Sequence, residues 1–342
     1  MNRNEKILAG IDLSTANCVE IGALCRPIVP PDSARVFYVD HLDTPGLRDK
    51  YRDDPNVDVA SIVHVGGVWG GNTLAEASAA VVPVDFIVAS HVIEHVPDLI
   101  GWLNELAAAL REGGEVRLAI PDRRYTFDLL RRETQLHEVL EAHLTHARVP
   151  SVGRVLDHVI NLRDVDLVAV WNGTLDLPAM RKGRPIEGAM NLARDVLENG
   201  AYHDVHCWVF TPRSFCELML ALAECGHLPF ECQALHETER GNLEFLCALR
   251  RCSDAVRIVD SWRKVLEAFV DPGAVLAADR SLPQTRPNEA PERLAALEGE
   301  VSSLRSHLER MQHTRTWRWS APLRALGEWG KAFDRRRRGK AA

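Results

Sequence analysis

Asp85-Phe86-Ile87-Val88-Ala89-Ser90-His91-Val92-Ile93-Glu94-His95 is the stretch on which the reading of this chain turns. Residues 86–89 form an unbroken apolar run that passes directly into Ser90-His91 and Glu94-His95, ahead of Pro97-Asp98. A short apolar run of this kind predicts a strand buried on both faces, as parallel sheets require. The next segment, 98–111, carries Leu99, Trp102, Leu103, Leu106 and Leu110 at helical spacing and closes at Gly113-Gly114. That is an amphipathic helix with a glycine stop.

Working outward, further strands are expected at 18–22, 35–40, 59–65 and 115–121. Strands alternating with helices imply a doubly wound, Rossmann-like α/β sheet, mostly parallel. Two late apolar segments, 230–236 and 244–250, are joined by the turn-like Glu239-Arg240-Gly241-Asn242 and predict a closing antiparallel hairpin. A helix before it begins at Thr211-Pro212, an N-cap followed by proline at the first helical position, and ends near Gly226. Between them, residues of about 123–205 lack strand alternation and are rich in His, Arg and Asp. They predict a helical insert or lid with a task of its own.

The domain so defined spans 1–252, followed by a helix and Pro-containing linker at 253–291. Leu294, Leu297, Val301, Leu304, Leu308 and Met311 then recur at steps of three and four, predicting a short coiled coil over 292–313 or a helix packed on its own domain. Residues 314–342 form a basic, Trp-rich tail with nine Lys/Arg against Glu328 and Asp334. The tail is therefore about +7 and the remainder about −14, for a net −7 that argues against nucleic-acid binding. The eight cysteines form no CxxC pair and sit mostly in apolar runs, as buried thiols in a reducing compartment do. A polar N-terminus and the lack of a membrane-length apolar run point to the cytoplasm, with the tail able to lie at the inner membrane face.

Several residues carry the expected chemistry. Gly22, at the end of the first strand in Val19-Glu20-Ile21-Gly22-Ala23-Leu24, suits close backbone approach to a cofactor, or is simply a strand end. Asp40, ending the second strand, can accept two hydrogen bonds from a ribose diol, or be a solvated strand-end acid. His91-x-x-Glu94-His95 also spells a zinc-peptidase pattern, but the cluster follows a strand and Pro97 limits helix across it, so no metal is expected.

Together, Glu20-Ile21-Gly22-Ala23-Leu24, Asp40, the 85–95 stretch and Gly113-Gly114-Glu115-Val116-Arg117-Leu118-Ala119-Ile120-Pro121-Asp122 resemble class I S-adenosylmethionine-dependent methyltransferases of the type 11-like kind. The segments 121–128 and 202–212 resemble a bacterial branch associated with surface-polysaccharide synthesis, and the likeness covers roughly 15–250. It implies that Glu20, Gly22 and Ala23 hold the methionine part of the cofactor and that Asp40, with His41 beside it, binds the ribose. Trp69 would sit near the adenine, and Ser90 and His91 on the cofactor's other side. The chain departs from the pattern at Leu24 and Cys25, where a second glycine is usual. It also lacks an acid in Val68-Trp69-Gly70-Gly71-Asn72.

Methyl transfer to a hydroxyl needs alignment and a base that titrates near neutrality. His203-Asp204-x-His206 supplies candidates, with Asp204 or Asp122 to orient an imidazole; the same groups could instead anchor the insert. A metal held by His203, His206 and a carboxylate is the less favoured alternative. The implied activity is O-methylation of a sugar or glycan precursor. Two other readings stand beside it: a non-catalytic scaffold recruiting glycosyltransferases through the coiled coil, and a methyltransferase of a small lipid or secondary metabolite. The coiled coil would pair with itself or with a glycosyltransferase.

Overall fold

The computed structural model describes residues 2–33, 35–70, 72–180 and 185–269. The predicted coiled coil, the linker before it and the basic tail lie outside the described residues. In chain order the elements are α1 (Arg3–Ile7), β1 (Cys18–Ile21), β2 (Val36–Asp40), α2 (Thr44–Lys50), β3 (Gly67–Val68) and α3 (Leu74–Ala77). Then come β4 (Val84–Ser90), α4 (Leu99–Ala109), β5 (Leu110–Pro121) and the insert helices α5 (Leu136–Leu144), α6 (Val152–Asn161), α7 (Leu167–Asn172), α8 (Leu177–Met180) and α9 (Ile186–Asn199). The chain closes with α10 (Pro212–Glu224), β6 (Phe230–His236), β7 (Glu244–Arg251) and α11 (Ala255–Ala268).

The seven strands form one sheet in the order β3-β2-β1-β4-β5-β7-β6. Neighbours from β3 through β5 pair in parallel, and β7 runs antiparallel to both β5 and β6. The expected mixed α/β sheet with a closing hairpin is therefore present. Val19, Ile21, Ile87 and Ala89 are buried on one face, and Cys18, Phe86 and Val88 on the other. This explains why these strands read as continuous apolar runs rather than alternating ones. Strand order reverses between β1 and β4, so a crevice opens at their carboxyl ends, where Gly22 and Ser90 lie.

Two expectations change. Residues 59–65 are not a strand: Asp58 caps a single 3-10 turn over Val59–Ser61, and Ile62 and Val65 bury against Leu47 in a small satellite core. The third strand is the two-residue Gly67–Val68 instead. A side chain at Gly67 would meet the Ala77 carbonyl at 1.9 Å, so α3 packs directly on the strand backbone there. The second change concerns the domain's end. α11, expected beyond it, buries Trp262 completely, and that indole donates to the Phe230 carbonyl at 3.0 Å on β6.

The insert is helical, as its composition predicts, and carries a core of its own around Val155, Val196 and Val205. Its two ends are fastened together. Asp122 and Phe210 form an isolated parallel bridge, Arg123 N–H donates to the Phe210 carbonyl at 2.8 Å, and Thr134 N–H donates to the Val209 carbonyl at 3.0 Å. Among the described residues no helix is long and apolar enough to cross a membrane.

Candidate functional site

At the carboxyl end of β1, Gly22 takes φ +72°, a conformation open to glycine at little cost. Its Cα faces the turn after β4, for an added Cβ would stand 3.3 Å from Val92 Cγ2. Gly22, Ala23 and Ser90 line a cavity of about 530 Å³ together with Arg3, Asn4, Glu20, Arg26 and Ile28. Three of the expected cofactor positions are thus brought together with Glu20. The Glu20 carboxylate, however, faces its own loop and accepts from the Ile28 and Val29 N–H groups at 2.7 and 2.9 Å. Its task is to shape the loop, and burial pushes its carboxyl up to about 7 against those two hydrogen bonds.

Leu24, where the family's second glycine is usual, adopts φ +47°. The backbone keeps the glycine-like turn although a branched side chain stands there, packed beside Leu47 and Ile62. On β2, Asp40 is buried, and its Oδ1 accepts from His41 N–H at 2.7 Å and faces His41 Nδ1 at 2.6 Å. His41 Nε2 in turn lies 2.9 Å from Lys50 Nζ, so His41 orients Asp40 and is itself held by α2. Trp69 sits just past β3, its indole N–H donating to Glu105 on α4 at 3.0 Å.

Ser90 and His91 end β4. Ser90 accepts from Arg3 at 2.6 Å, so α1 reaches the crevice. His91 has φ +54°, an uncommon conformation for a non-glycine residue, and its Nε2 lies 2.8 Å from Glu244 Oε2 at the start of β7. Burial disfavours its charge, but the hydrogen bond to Glu244 and the Glu94 carboxylate 3.5 Å away prevail and raise it to about 9.

The expected catalytic set separates. His206 is buried, with Nδ1 2.6 Å from Asp128 Oδ2. Asp204 pairs across the turn with His95, Oδ1 to Nδ1 at 2.8 Å, and that contact holds its carboxyl at about 2. His203 does not join them: its Nε2 lies 2.9 Å from Asp195 on α9, within the insert. Asp122 is also excluded as a base. It is fully buried, accepts from Thr238 Oγ1 at 2.7 Å and pairs with Arg124 at 2.6 Å, so every role it plays here is structural.

Residues without an assigned role in the sequence complete the site. Glu94 and His95, quoted in the 85–95 stretch, meet His206 across the crevice: one ligand-type atom from each of the three lies within 4.8 Å of the others. Glu94 is wholly buried, and no hydrogen bond reaches either carboxylate oxygen. His91 Nδ1 and His95 Nε2 stand 3.5 and 3.9 Å from its Oε1. Burial opposes its ionisation, yet the imidazoles of His91, His206 and His95 hold the carboxyl below its ordinary value. Behind His206, Arg131 is fully buried and donates to Asp128, to Asp157 and to the His206 carbonyl, each at 2.8 Å. His158 Nδ1 accepts the His206 N–H at 3.2 Å, and burial together with the nearby Arg131 lowers its pKa to about 4, so it stays neutral. Asp128 belongs to the 121–128 segment, but nothing in its spacing announces a partner 78 residues later.

A protein-family model described as a methyltransferase domain matches residues 33–222, more than half of the chain. No curated protein matches. Among solved structures, the CurJ carbon methyltransferase is 12% identical with a TM-score of 0.34, over 72% of this chain and 51% of that one. The chain therefore spans about half the length of that protein. Magnesium protoporphyrin IX methyltransferase from Synechocystis PCC 6803 with bound SAH is 9% identical, TM-score 0.34, over 72% of this chain and 80% of that one. A SAM dependent methyltransferase from Aquifex aeolicus is 12% identical, TM-score 0.33, over 73% and 89%. The family match carries the assignment; similarities at these scores add nothing to it.

Proposed function

The chain belongs to the methyltransferase-domain family, whose methyl donor is S-adenosylmethionine, and from that premise we propose that it methylates a hydroxyl oxygen of a sugar or glycan precursor. The crevice residues fit such a donor. Gly22 leaves room beside the backbone, and Asp40 keeps one oxygen out of its contacts with His41 for a ribose hydroxyl. Arg3 and Arg26 on the cavity wall offer cations to the carboxylate of the methionine part. Bound there, S-adenosylmethionine supplies a methyl group already activated on a sulfonium.

What remains for the protein is to position the acceptor and take its proton. The observation that carries an oxygen acceptor is the His95–Asp204 pair. His95 is a partly exposed imidazole of the crevice, and the Asp204 carboxylate 2.8 Å from its Nδ1 stabilises the imidazolium that forms. The groups beside it are polar, with His91 paired to Glu94 at 3.5 Å and His206 to Asp128 at 2.6 Å, which suits a hydroxylated acceptor better than an apolar one. The surface-polysaccharide setting and a cytoplasmic location, at the membrane face if the basic tail binds lipid, complete the proposal.

Titration calorimetry with S-adenosylmethionine and S-adenosylhomocysteine tests it, with Asp40→Ala alongside. Micromolar binding lost in Asp40→Ala, followed by methyl transfer to hydroxylated sugar acceptors, is the expected result. Failure of both ligands to bind sinks the enzyme reading. Turnover on a lipid or a nitrogen acceptor, with none on sugars, overturns the acceptor class.

A further inference from the structure

We propose that Glu94, His95 and His206 form a binding site for one divalent transition-metal ion. The proposal does not depend on methyl transfer, because it concerns what these three side chains bind.

Three observations carry it. The first is Glu94 itself: a wholly buried carboxylate with neither oxygen hydrogen-bonded, its Oε1 faced only by the His91 and His95 imidazole nitrogens at 3.5 and 3.9 Å among the ion pairs of the described residues. Leaving a charge in that state is costly, and buried charges are ordinarily paired or coordinate metals. The second is the orientation of the imidazoles. His95 and His206 each present Nδ1 to an aspartate, at 2.8 Å to Asp204 and 2.6 Å to Asp128. Each keeps Nε2 for something else, and His95 Nε2 stands 3.9 Å from the unbonded carboxylate. A carboxylate behind a histidine is the arrangement that fixes the tautomer of a metal-ligating imidazole and raises its basicity. Here it is present as a hydrogen bond at His206, and at His95 the Asp204 carboxylate stands at 2.8 Å, close enough to complete one as the ring turns.

The third observation is scale. The three donor atoms lie within 4.8 Å of one another. Bonds of about 2.0–2.2 Å to a common ion would bring them to roughly 3.4 Å apart in tetrahedral geometry, a contraction of up to about 1.4 Å. Rotamer adjustment supplies that without moving the backbone. Two imidazoles and one carboxylate suit zinc, iron or manganese rather than calcium or magnesium, and leave positions open for a substrate oxygen. Access comes from the side of Asp204, whose carboxylate is half exposed, past the partly exposed His95. Asp128, His158 and Arg131 close the other side. The H-x-x-E-H spelling in the sequence thus contributes two ligands from a turn rather than from a helix, and His206 supplies the third from the end of the insert.

An ion held here would lower the pKa of a coordinated hydroxyl, and His95 would serve as a ligand in the loaded chain and as the base only in the metal-free one. The two assignments of His95 exclude each other, and a binding measurement separates them.

The test uses the full chain, freed of metal by a chelator and titrated with zinc and with cobalt(II), read by calorimetry, visible absorption and thermal unfolding. One equivalent bound is expected, with cobalt d–d bands free of thiolate charge transfer and a higher Tm than the metal-free chain. Glu94→Gln and His206→Asn lose all three signals, and Asp204→Asn weakens binding about 10- to 100-fold. Glu94→Gln keeps the shape and removes a buried charge that no hydrogen bond satisfies, together with its contact to His91, so its metal-free Tm is expected to stay close to that of the parent. No stoichiometric binding to the parent chain overturns the proposal. So does binding unchanged in Glu94→Gln, or a thiolate-to-cobalt band, which assigns the ion to cysteines. Loss of S-adenosylmethionine binding with metal binding intact would overturn the methyltransferase reading and leave this one standing.

Discussion

Replacing Arg131 with methionine removes a guanidinium with no exposed surface that joins three separate parts of the chain. Asp128 would lose one of its two side-chain partners, Asp157 would lose an ion pair, and the His206 carbonyl would lose its donor. Breaking a buried pair from one side costs about 3–5 kcal/mol, because the other charge stays buried. Asp128 retains His206, which moderates the loss, and Asp157 is a third exposed, so its pair adds under about 1 kcal/mol. The methionine still fills most of the volume. The expected destabilisation is therefore about 3–4 kcal/mol, or a urea midpoint lowered by about 1 M if m is near 3 kcal/mol per M. Urea unfolding followed by tryptophan fluorescence measures it, on Arg131→Met, Asp128→Asn and the double variant. Asp128→Asn removes the charge that Arg131 neutralises, so the double variant is expected to lose about 2 kcal/mol less than the sum of the singles. A single-variant loss below about 1 kcal/mol, or an additive cycle, would refute the view that Arg131 neutralises Asp128 beneath the site.

Further outcomes follow from the same geometry. Glu244 lies between Arg3 and His91, and despite burial the hydrogen bond from His91 and the pairing with Arg3 lower its pKa from 4.5 to about 2. A depressed carboxyl adds stability above its unfolded pKa and loses it as the pH falls from about 4.5 toward 2. Glu244→Gln should therefore cost up to about 3 kcal/mol near neutrality, with the gap to the parent closing below pH 4.5; a gap constant down to pH 3 contradicts this. Gly22→Ala forces a side chain to φ +72° against Val92 and is expected to cost about 1–2 kcal/mol and to weaken S-adenosylhomocysteine binding. Gly113→Ala, at φ +71° in open space, should cost similar stability with binding unchanged, which calorimetry on both variants decides. Trp262→Ala is expected to lower unfolding free energy by about 3–5 kcal/mol, and a chain ended at residue 252 should fail to give a cooperative transition.

The sheet was legible because its inner strands are buried on both faces. Phe86-Ile87-Val88-Ala89 and Cys18-Val19-Glu20-Ile21 can hardly be anything else between turn residues. Residues 59–65 misled because Val59, Ile62 and Val65 bury on a loop, and apolar content alone does not separate a loop that covers a core from a short strand. α11 went unassigned to the domain because a helix that contributes Ile258 and Trp262 looks, in sequence, like one facing solvent or a partner. In the site, Gly22, Ala23 and Ser90 were legible from strand ends. The separation of His203 from His206 was not, since three residues of irregular backbone can point side chains anywhere. Asp122 looked available because one of its partners, Thr238, gains meaning only once β5 and the hairpin are adjacent, while Arg124 reaches it only through the local 3-10 turn. Glu94 was in plain view, but only the fold reveals that it is buried with no hydrogen bond to its carboxylate.

The fastened ends of the insert have a consequence for how such a chain can change over time. Because Asp122 and Arg123 bond to Phe210, and Thr134 to Val209, the excursion between them begins and ends at one place on the scaffold. Lengthening or exchanging a loop whose ends are already clamped costs little closure entropy, since each doubling of length adds only about 0.6 kcal/mol. The outer helices α7 to α9 behave as a cartridge: a different one would present a new wall to incoming molecules while the sheet, the Gly22 turn and the Glu94 cluster stay as they are. Relatives with the same scaffold and different outer helices would then be expected to share chemistry and differ in what they admit to it.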